Sequence, residues 1–312
     1  MSLTAFIIRR LLWTVPVLLC VMLATFALLR GAGGSPFRPP PGYSGVPAPL
    51  QRELSDFYHL DDPWFVEFGM YVKNVATLNF GPSMVVRGED VTDVIKRQFP
   101  ITLQLVGLAA LVSLPLGVGL GVLAARRANS WVDLAVTSAS SLLLVVPVFF
   151  LSYVLSRYLV LEWHLFPLGW NTSRSKVLPT VTLALAPTGY IARLIRVAVV
   201  ETLQEDYVRT AHAKGLLEYR IVWVHVLRNS LVPFLSSAVS MLALLVTGSF
   251  FVERSFRVPG ASSAFLDAAF TRDYPLLMGL TVVLAVIVLL ANLVADVLLA
   301  IVDPRVRDAM RS

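Results

Sequence analysis

The groups in this chain that could do chemistry are few, and each can be tested against the pattern its chemistry requires. A Walker-type phosphate loop needs a Gly-Lys step before Ser or Thr, because backbone amides and the lysine together cradle the phosphates. Lys73, Lys96, Lys176 and Lys214 follow Val72, Ile95, Ser175 and Ala213, so no such step exists. His59, His164, His212 and His225 stand far apart, and none is followed by Glu. That removes the helical zinc-protease pattern and argues against a nickel cage built within the chain. No Gly-x-Ser-x-Gly elbow presents a serine nucleophile. Cys20, the single cysteine, lies in an apolar run with no second thiol to pair with. No residue is nominated as catalytic, and the chain is expected to hold neither metal nor cofactor of its own.

The elements that would have to position any site are apolar. Of 312 residues, 56% are hydrophobic and 15% charged, with a mean hydropathy of +0.73. Soluble domains carry about 25% charged residues, so this is the composition of a chain dissolved in lipid. Disorder and a disulfide scaffold are excluded with it. The net charge of +6 comes from basic residues scattered between apolar runs, without the stacking aromatics that nucleic-acid binding would need.

Uncharged runs give the expected spans. Leu11–Leu29 (within residues 1–30), 101–125, 134–156, 229–252 and 274–295 each reach the ~18 apolar residues of a transmembrane helix, the last span being expected to continue past Asp296 to residue 302. A sixth, 177–200, is broken by Pro179, Pro187 and Gly189. It becomes long enough only by passing Arg193 and Arg196, which are expected to snorkel to headgroups. Positive residues in the short loops place both termini in the cytoplasm, including the tail 303–312. Pro16 and the length of the first run favour a retained helix over a signal peptide. Residues 31–99 form an outer segment: a Gly/Pro-rich loop to residue 49, then amphipathic patches around Leu54 and Phe68 that read as a small helical cap. Trp13, Trp131 and Trp170 read as interfacial anchors, and Arg157, Glu162 and His164 as an outer helix end in contact with water or headgroups. Asn292 and Asp296 share one face of the last span, where a helix contact or ion pair is favoured over a proton relay.

The most informative stretch is the cytoplasmic segment 201–228. It opens with Glu201, Glu205 and Asp206, closes its first part on Lys214 and Gly215, and continues into Ile221, Trp223 and Leu227 among basic residues. Acid first and base last suits the helix dipole, and Gly215 suits a left-handed helix end. A helix–Gly turn–helix hairpin is expected. On these grounds alone it is equally a structural hairpin or a grip for a soluble partner.

Asp206-Tyr-Val-Arg-Thr-Ala-His-Ala-Lys-Gly215, followed by Leu227-Arg-Asn-Ser-Leu-Val-Pro233, resembles the cytoplasmic signature loop of ABC importer permeases, and within them the dipeptide/oligopeptide/nickel branch. The Glu and first Ala of the general Glu-Ala-Ala form are absent, Arg209-Thr210-Ala211 standing there, as is common in this branch. Glu253-Arg-Ser-Phe-Arg-Val-Pro-Gly260, Arg272-Asp-Tyr-Pro275, Asn292-Leu-Val-Ala-Asp296, Asp303-Pro-Arg-Val-Arg307, Leu78-Asn-Phe-Gly81 and Phe99-Pro-Ile-Thr102 extend the likeness over nearly the whole chain. Gly33-Gly-Ser-Pro36 and Ala261-Ser262 depart from the branch's pattern.

The resemblance implies an all-α integral membrane protein of the type I importer permease fold, with six transmembrane helices and an outer cap. It implies a second, homologous permease, two cytoplasmic ATPases that bind ATP and Mg²⁺, and an extracytoplasmic substrate-binding protein. It implies a prokaryotic inner membrane, and a coupling helix comprising Asp206, Tyr207, Arg209, Thr210, Ala211, His212, Lys214 and Gly215. Peptides lead as substrate, with nickel complexes, haem or other small solutes behind them. Two other classes stand against this reading: a stand-alone secondary transporter, for which only Asp296 offers an ion-coupling group and no internal repeat is found, and a membrane anchor or receptor docking a soluble partner.

Overall fold

The structure, a computed structural model, describes residues 3–31, 37, 46–85, 88–227, 230, 241, 245–246 and 248–302. These form α1 (Leu3–Gly31), α2 (Ala48–Tyr58), α3 (Trp64–Ala76), α4 (Val91–Arg126), α5 (Trp131–Val145), α6 (Val148–Leu155), α7 (Ser173–Thr202), α8 (Asp206–Ala213), α9 (Glu218–Arg220), α10 (248–256), α11 (Ala261–Thr271) and α12 (Tyr274–Val302). α6 runs on as a π-helix, Ser156–Glu162, and α9 as another, Ile221–Val226. Among the described residues four helices, α1, α4, α7 and α12, are long and apolar enough to cross a membrane, and five spans result if the α5–α6 pair is counted. Most of the span expected over 229–252 and all of the tail 303–312 lie outside the described residues, as do Gly33–Pro36 and the side chain of Asp296.

The chain divides into two compact units. One comprises residues 3–102 and 259–290. Its core gathers Phe80, Val91, Val94 and Ile95 with Ala261, Ala264, Leu277 and Leu280. Two short helices, α2 and α3, form within the stretch 50–98, seated by buried Leu54 and Tyr71; the Tyr71 hydroxyl donates to the Met278 carbonyl at 3.2 Å. Pro49 opens α2, where its missing N–H costs nothing. Asp273 caps α12: its carboxylate accepts from the Leu276 amide at 3.3 Å, from the Met84 amide at 3.3 Å and from the Ser83 hydroxyl. Burial holds the Asp273 carboxyl above its usual range, against the lowering effect of those three donors. Thr102, from the Phe-Pro-Ile-Thr block, accepts from the Ala261 amide at 2.8 Å and so holds the first turn of α11.

The other unit contains the described residues of 103–258 and 291–302. α7 is its buried centre, started by a reciprocal capping box in which the Ser175 amide donates to Thr172 Oγ1 and the Thr172 amide to Ser175 Oγ, both at 3.1 Å. α4 and α5 reach α7 through glycines. A Cβ at Gly117 would lie 2.6 Å from Ile191 Cβ, one at Gly121 2.6 Å from the Ala192 carbonyl, and one at Gly189 2.8 Å from the Ser140 carbonyl. Small residues let lipid-embedded helices close on one another and gain dispersion contact, since lipid supplies no hydrophobic drive between them.

Three expectations need correction. The span expected over 134–156 is two helices bent by 95°. Pro147 lacks the N–H that would continue α5, and it forces Val146 into extended backbone at ψ 118. Arg196 does not snorkel. It is half-buried and forms a two-pronged pair at 2.9 and 2.7 Å with Asp133, whose buried carboxylate holds the guanidinium at α5. Trp170 is no interfacial anchor: it is 7% exposed and donates to Gln104 Oε1 at 2.9 Å. Trp13 and Trp131 are exposed as expected, and Arg157 pairs with Glu162 at 2.9 Å.

Candidate functional site

The expected hairpin forms between α7 and α10, but its first helix begins later than its acidic residues suggest. Glu201 lies in the last turn of α7, not at the start of a new helix. The chain then turns tightly, with Gln204 donating to the Glu201 carbonyl at 3.1 Å and Glu205 to the Thr202 carbonyl at 3.2 Å. α8 starts at Asp206, where a carboxylate meets the positive end of the helix dipole.

α8 has two faces. Val208 and Ala211, three residues apart, are buried and pack on the π-helical segment, whose Ile221, Val222 and Val226 are almost wholly buried. The other face presents Asp206, Tyr207, Arg209, Thr210 and His212 to the surroundings. Asp206 and Arg209 approach to 3.6 Å with side chains 98% and 75% exposed, a pair that screening leaves weak and therefore free to exchange for a partner's charges. Thr210 Oγ1 donates to the Asp206 carbonyl at 3.0 Å and His212 Nδ1 to the Val208 carbonyl at 3.0 Å, so both side chains are tied to their own helix.

The helix ends in a Schellman motif. Gly215 donates to the His212 carbonyl at 2.9 Å and Leu216 to the Ala211 carbonyl at 3.3 Å, with Gly215 at φ +71. No atom lies within 4 Å of where a Cβ at Gly215 would sit, so backbone conformation and not space demands glycine there. Lys214 sits at the negative end of α8, its amide bonded to the Thr210 carbonyl at 3.1 Å.

Two attachments of this hairpin had no clear sequence signal. Glu218 Oε1 accepts from Arg126 Nε at 3.2 Å and Nη2 at 3.0 Å, tying α9 to the end of α4. Ser230 Oγ lies 3.1 Å from Thr202 Oγ1, joining the chain after the hairpin to the end of α7. The site thus gathers all eight expected residues on one short helix and its turn. It displays a polar, accessible face on an apolar footing and contains no group arranged for bond-making.

The described residues thus form a multi-pass helical chain with a short two-faced helix exposed after α7. Residues 117–308 match the family described as binding-protein-dependent transport system inner membrane component. Among curated relatives, the dipeptide transport system permease protein DppB of Bacillus subtilis is 36% identical over 303 residues, 97% of each chain. The oligopeptide transport system permease protein AppB of the same organism is 34% identical, covering 97% of this chain and 99% of its own. OppB of Escherichia coli K12 is 34% identical with the same coverage. An inward-facing structure of the MetNI methionine ABC transporter aligns with a TM-score of 0.51 at 19% identity, over 68% of this chain and 94% of that one, and shares the fold. The chain belongs to the binding-protein-dependent inner membrane component family, and is a permease subunit of an ATP-binding-cassette importer of type I fold.

Proposed function

We propose that this permease lines half of a peptide passage and that α8 is the helix through which cytoplasmic ATPases drive it. The substrate class rests on the names of the relatives, which are dipeptide and oligopeptide permeases at 34–36% identity over nearly the whole chain. The coupling role rests on one observation: α8 buries Val208 and Ala211 against its own protein and leaves the opposite face to a partner. ATP and Mg²⁺ bind to the two ATPases, a second permease completes the passage, and an extracytoplasmic binding protein delivers the peptide. The subunit itself is non-catalytic, and both termini face the cytoplasm with the hairpin. An ATPase closing on nucleotide would push α8, and the push would reach α4 through Glu218–Arg126 and α7 through the short turn at Leu203–Glu205.

The test is a cysteine at Tyr207, which is 41% exposed on α8, in an assembled complex whose Cys20 is replaced by Ser. A short bifunctional maleimide should join Tyr207→Cys to an ATPase subunit and not to the binding protein. Crosslinks to the binding protein, or none to an ATPase in a complex that still transports, would overturn the assignment.

A further inference from the structure

The unit formed by residues 3–102 and 259–290 contains a cavity of about 280 Å³ that the transport reading does not use. Its walls are apolar and adaptable: Phe26 and Leu29 from α1, Met70 from α3, Phe80 and Met84 from the loop after it, and Met278 from α12. Three thioethers contributed by three separate elements fit a flexible, featureless chain better than a shaped ligand. Its polar side chains are Arg30, Glu67 and Asn74 together with three tyrosines, of which Tyr58 and Tyr71 already donate their hydroxyls to the Pro82 and Met278 carbonyls. Arg30 and Glu67 are paired, but unequally placed, the guanidinium side chain being 48% exposed and the carboxylate 17%. An anion arriving from outside therefore meets Arg30 first.

The position on α1 says where such an anion comes from. Arg30 closes the apolar run that begins at Leu11, so it stands where the hydrocarbon ends and the headgroups begin. Leu12, Val15 and Leu28 of the same helix are 67%, 56% and 74% exposed, which marks α1 as lipid-facing up to the turn that borders the cavity. On α3, Trp64 and Phe65 are 53% and 61% exposed just before Glu67, aromatic residues of the kind that settle at headgroup depth. Apolar walls, an accessible guanidinium at the rim and headgroup depth together describe a site for an amphiphile.

We propose that this cavity holds an acyl chain of a membrane glycerophospholipid, with the lipid phosphate on Arg30 and the Asn74 amide within reach of the ester carbonyls. The lipid would fill the space beneath the cap and fasten α3 to the outer ends of α1 and α12.

The full chain, reconstituted with a phosphatidylethanolamine carrying a diazirine along one acyl chain, is illuminated, digested and mapped. Adducts are expected on Met70, Met84 or Met278 as well as on the lipid-facing side of α1. Arg30→Gln keeps the packing but removes the charge, and should lower the cavity adducts about tenfold, the worth of one charge-assisted hydrogen bond. Met278→Trp should block them by filling the space, with Leu12 and Val15 adducts unchanged in both variants as a sign of intact insertion. Adducts confined to the α1 face, or cavity adducts indifferent to both variants, would overturn the proposal. Loss of cavity adducts alone on adding a soluble apolar tripeptide would also overturn it, reassigning the space to peptide.

Discussion

At Gly215 a single backbone angle decides whether the hairpin ends where a partner expects it. The left-handed conformation costs an L-residue about 1–2 kcal/mol, more for a β-branched one, while Asn tolerates it. α8 has eight residues, too few to hold itself without tertiary support. Gly215→Val should therefore abolish nucleotide-driven uptake in the assembled complex, with membrane insertion unchanged, whereas Gly215→Asn should keep most of it. Equal uptake in the two variants would deny the Schellman turn its role. Gly215 was legible in the sequence because its chemistry is local. Asp133–Arg196 was not, since nothing in the residues around either one indicates that α5 and α7 meet there. Asp133→Asn leaves Arg196 with its charge and one partner fewer. Removing one member of a buried pair costs about 3–5 kcal/mol, and Arg196, at 28% exposed, places this case near the lower figure. The variant should melt earlier in detergent, and Asp133→Asn with Arg196→Met should recover part of the loss.

Among the elements, the long helices were readable because each is an uninterrupted apolar run, and α7 reached its full length because Arg196 finds Asp133. The bend at Pro147 is masked in the sequence by neighbours that are all apolar, the proline itself being its one local signal. The break before α8 carried no signal in composition, although the motif resemblance already began the coupling helix at Asp206. Glu201-Thr-Leu-Gln-Glu205 suits a helix throughout, and only the end of α7 at Thr202 sets the break. The cap offers a test by pH. Burial raises the Asp273 carboxyl, and burial also raises Glu67 despite Arg30 beside it. A carboxyl whose folded value lies above its unfolded one stabilises the fold fully below the ordinary carboxylate range, and that contribution is lost as pH rises through the folded value. Protease nicking between α2 and α3 should thus accelerate as pH rises from about 4 toward neutrality. Asp273→Asn, which still caps α12, should flatten most of that rise and leave the smaller part due to Glu67. Nicking that slows over the same window would contradict the assignment.

For the molecule as a whole, the family likeness makes the chain a permease subunit of an importer, and the proposed function has it draw its energy from partner ATPases. Reconstituted alone, it should show no gradient-driven uptake of a labelled dipeptide. The same vesicles should take the dipeptide up once the second permease, the ATPases, the binding protein and ATP are supplied. Uptake by the lone chain under a proton or sodium gradient would restore the secondary-transporter reading. What the amino-acid order could not convey at this scale is which apolar surface meets lipid and which meets protein, because both are lined with the same residue types.

The elbow between α5 and α6 bears on that distinction. At a right-angled break the last carbonyls of α5 and the first amides of α6 lose their in-helix partners, and hydrocarbon offers none in return. Leu142, Val145, Phe149 and Phe150 around it are 63%, 77%, 53% and 54% exposed, yet this flank cannot be bathed by acyl tails alone. It must abut hydrated space or a neighbouring polypeptide, which makes the most greasy-looking corner of the subunit its least lipid-compatible one.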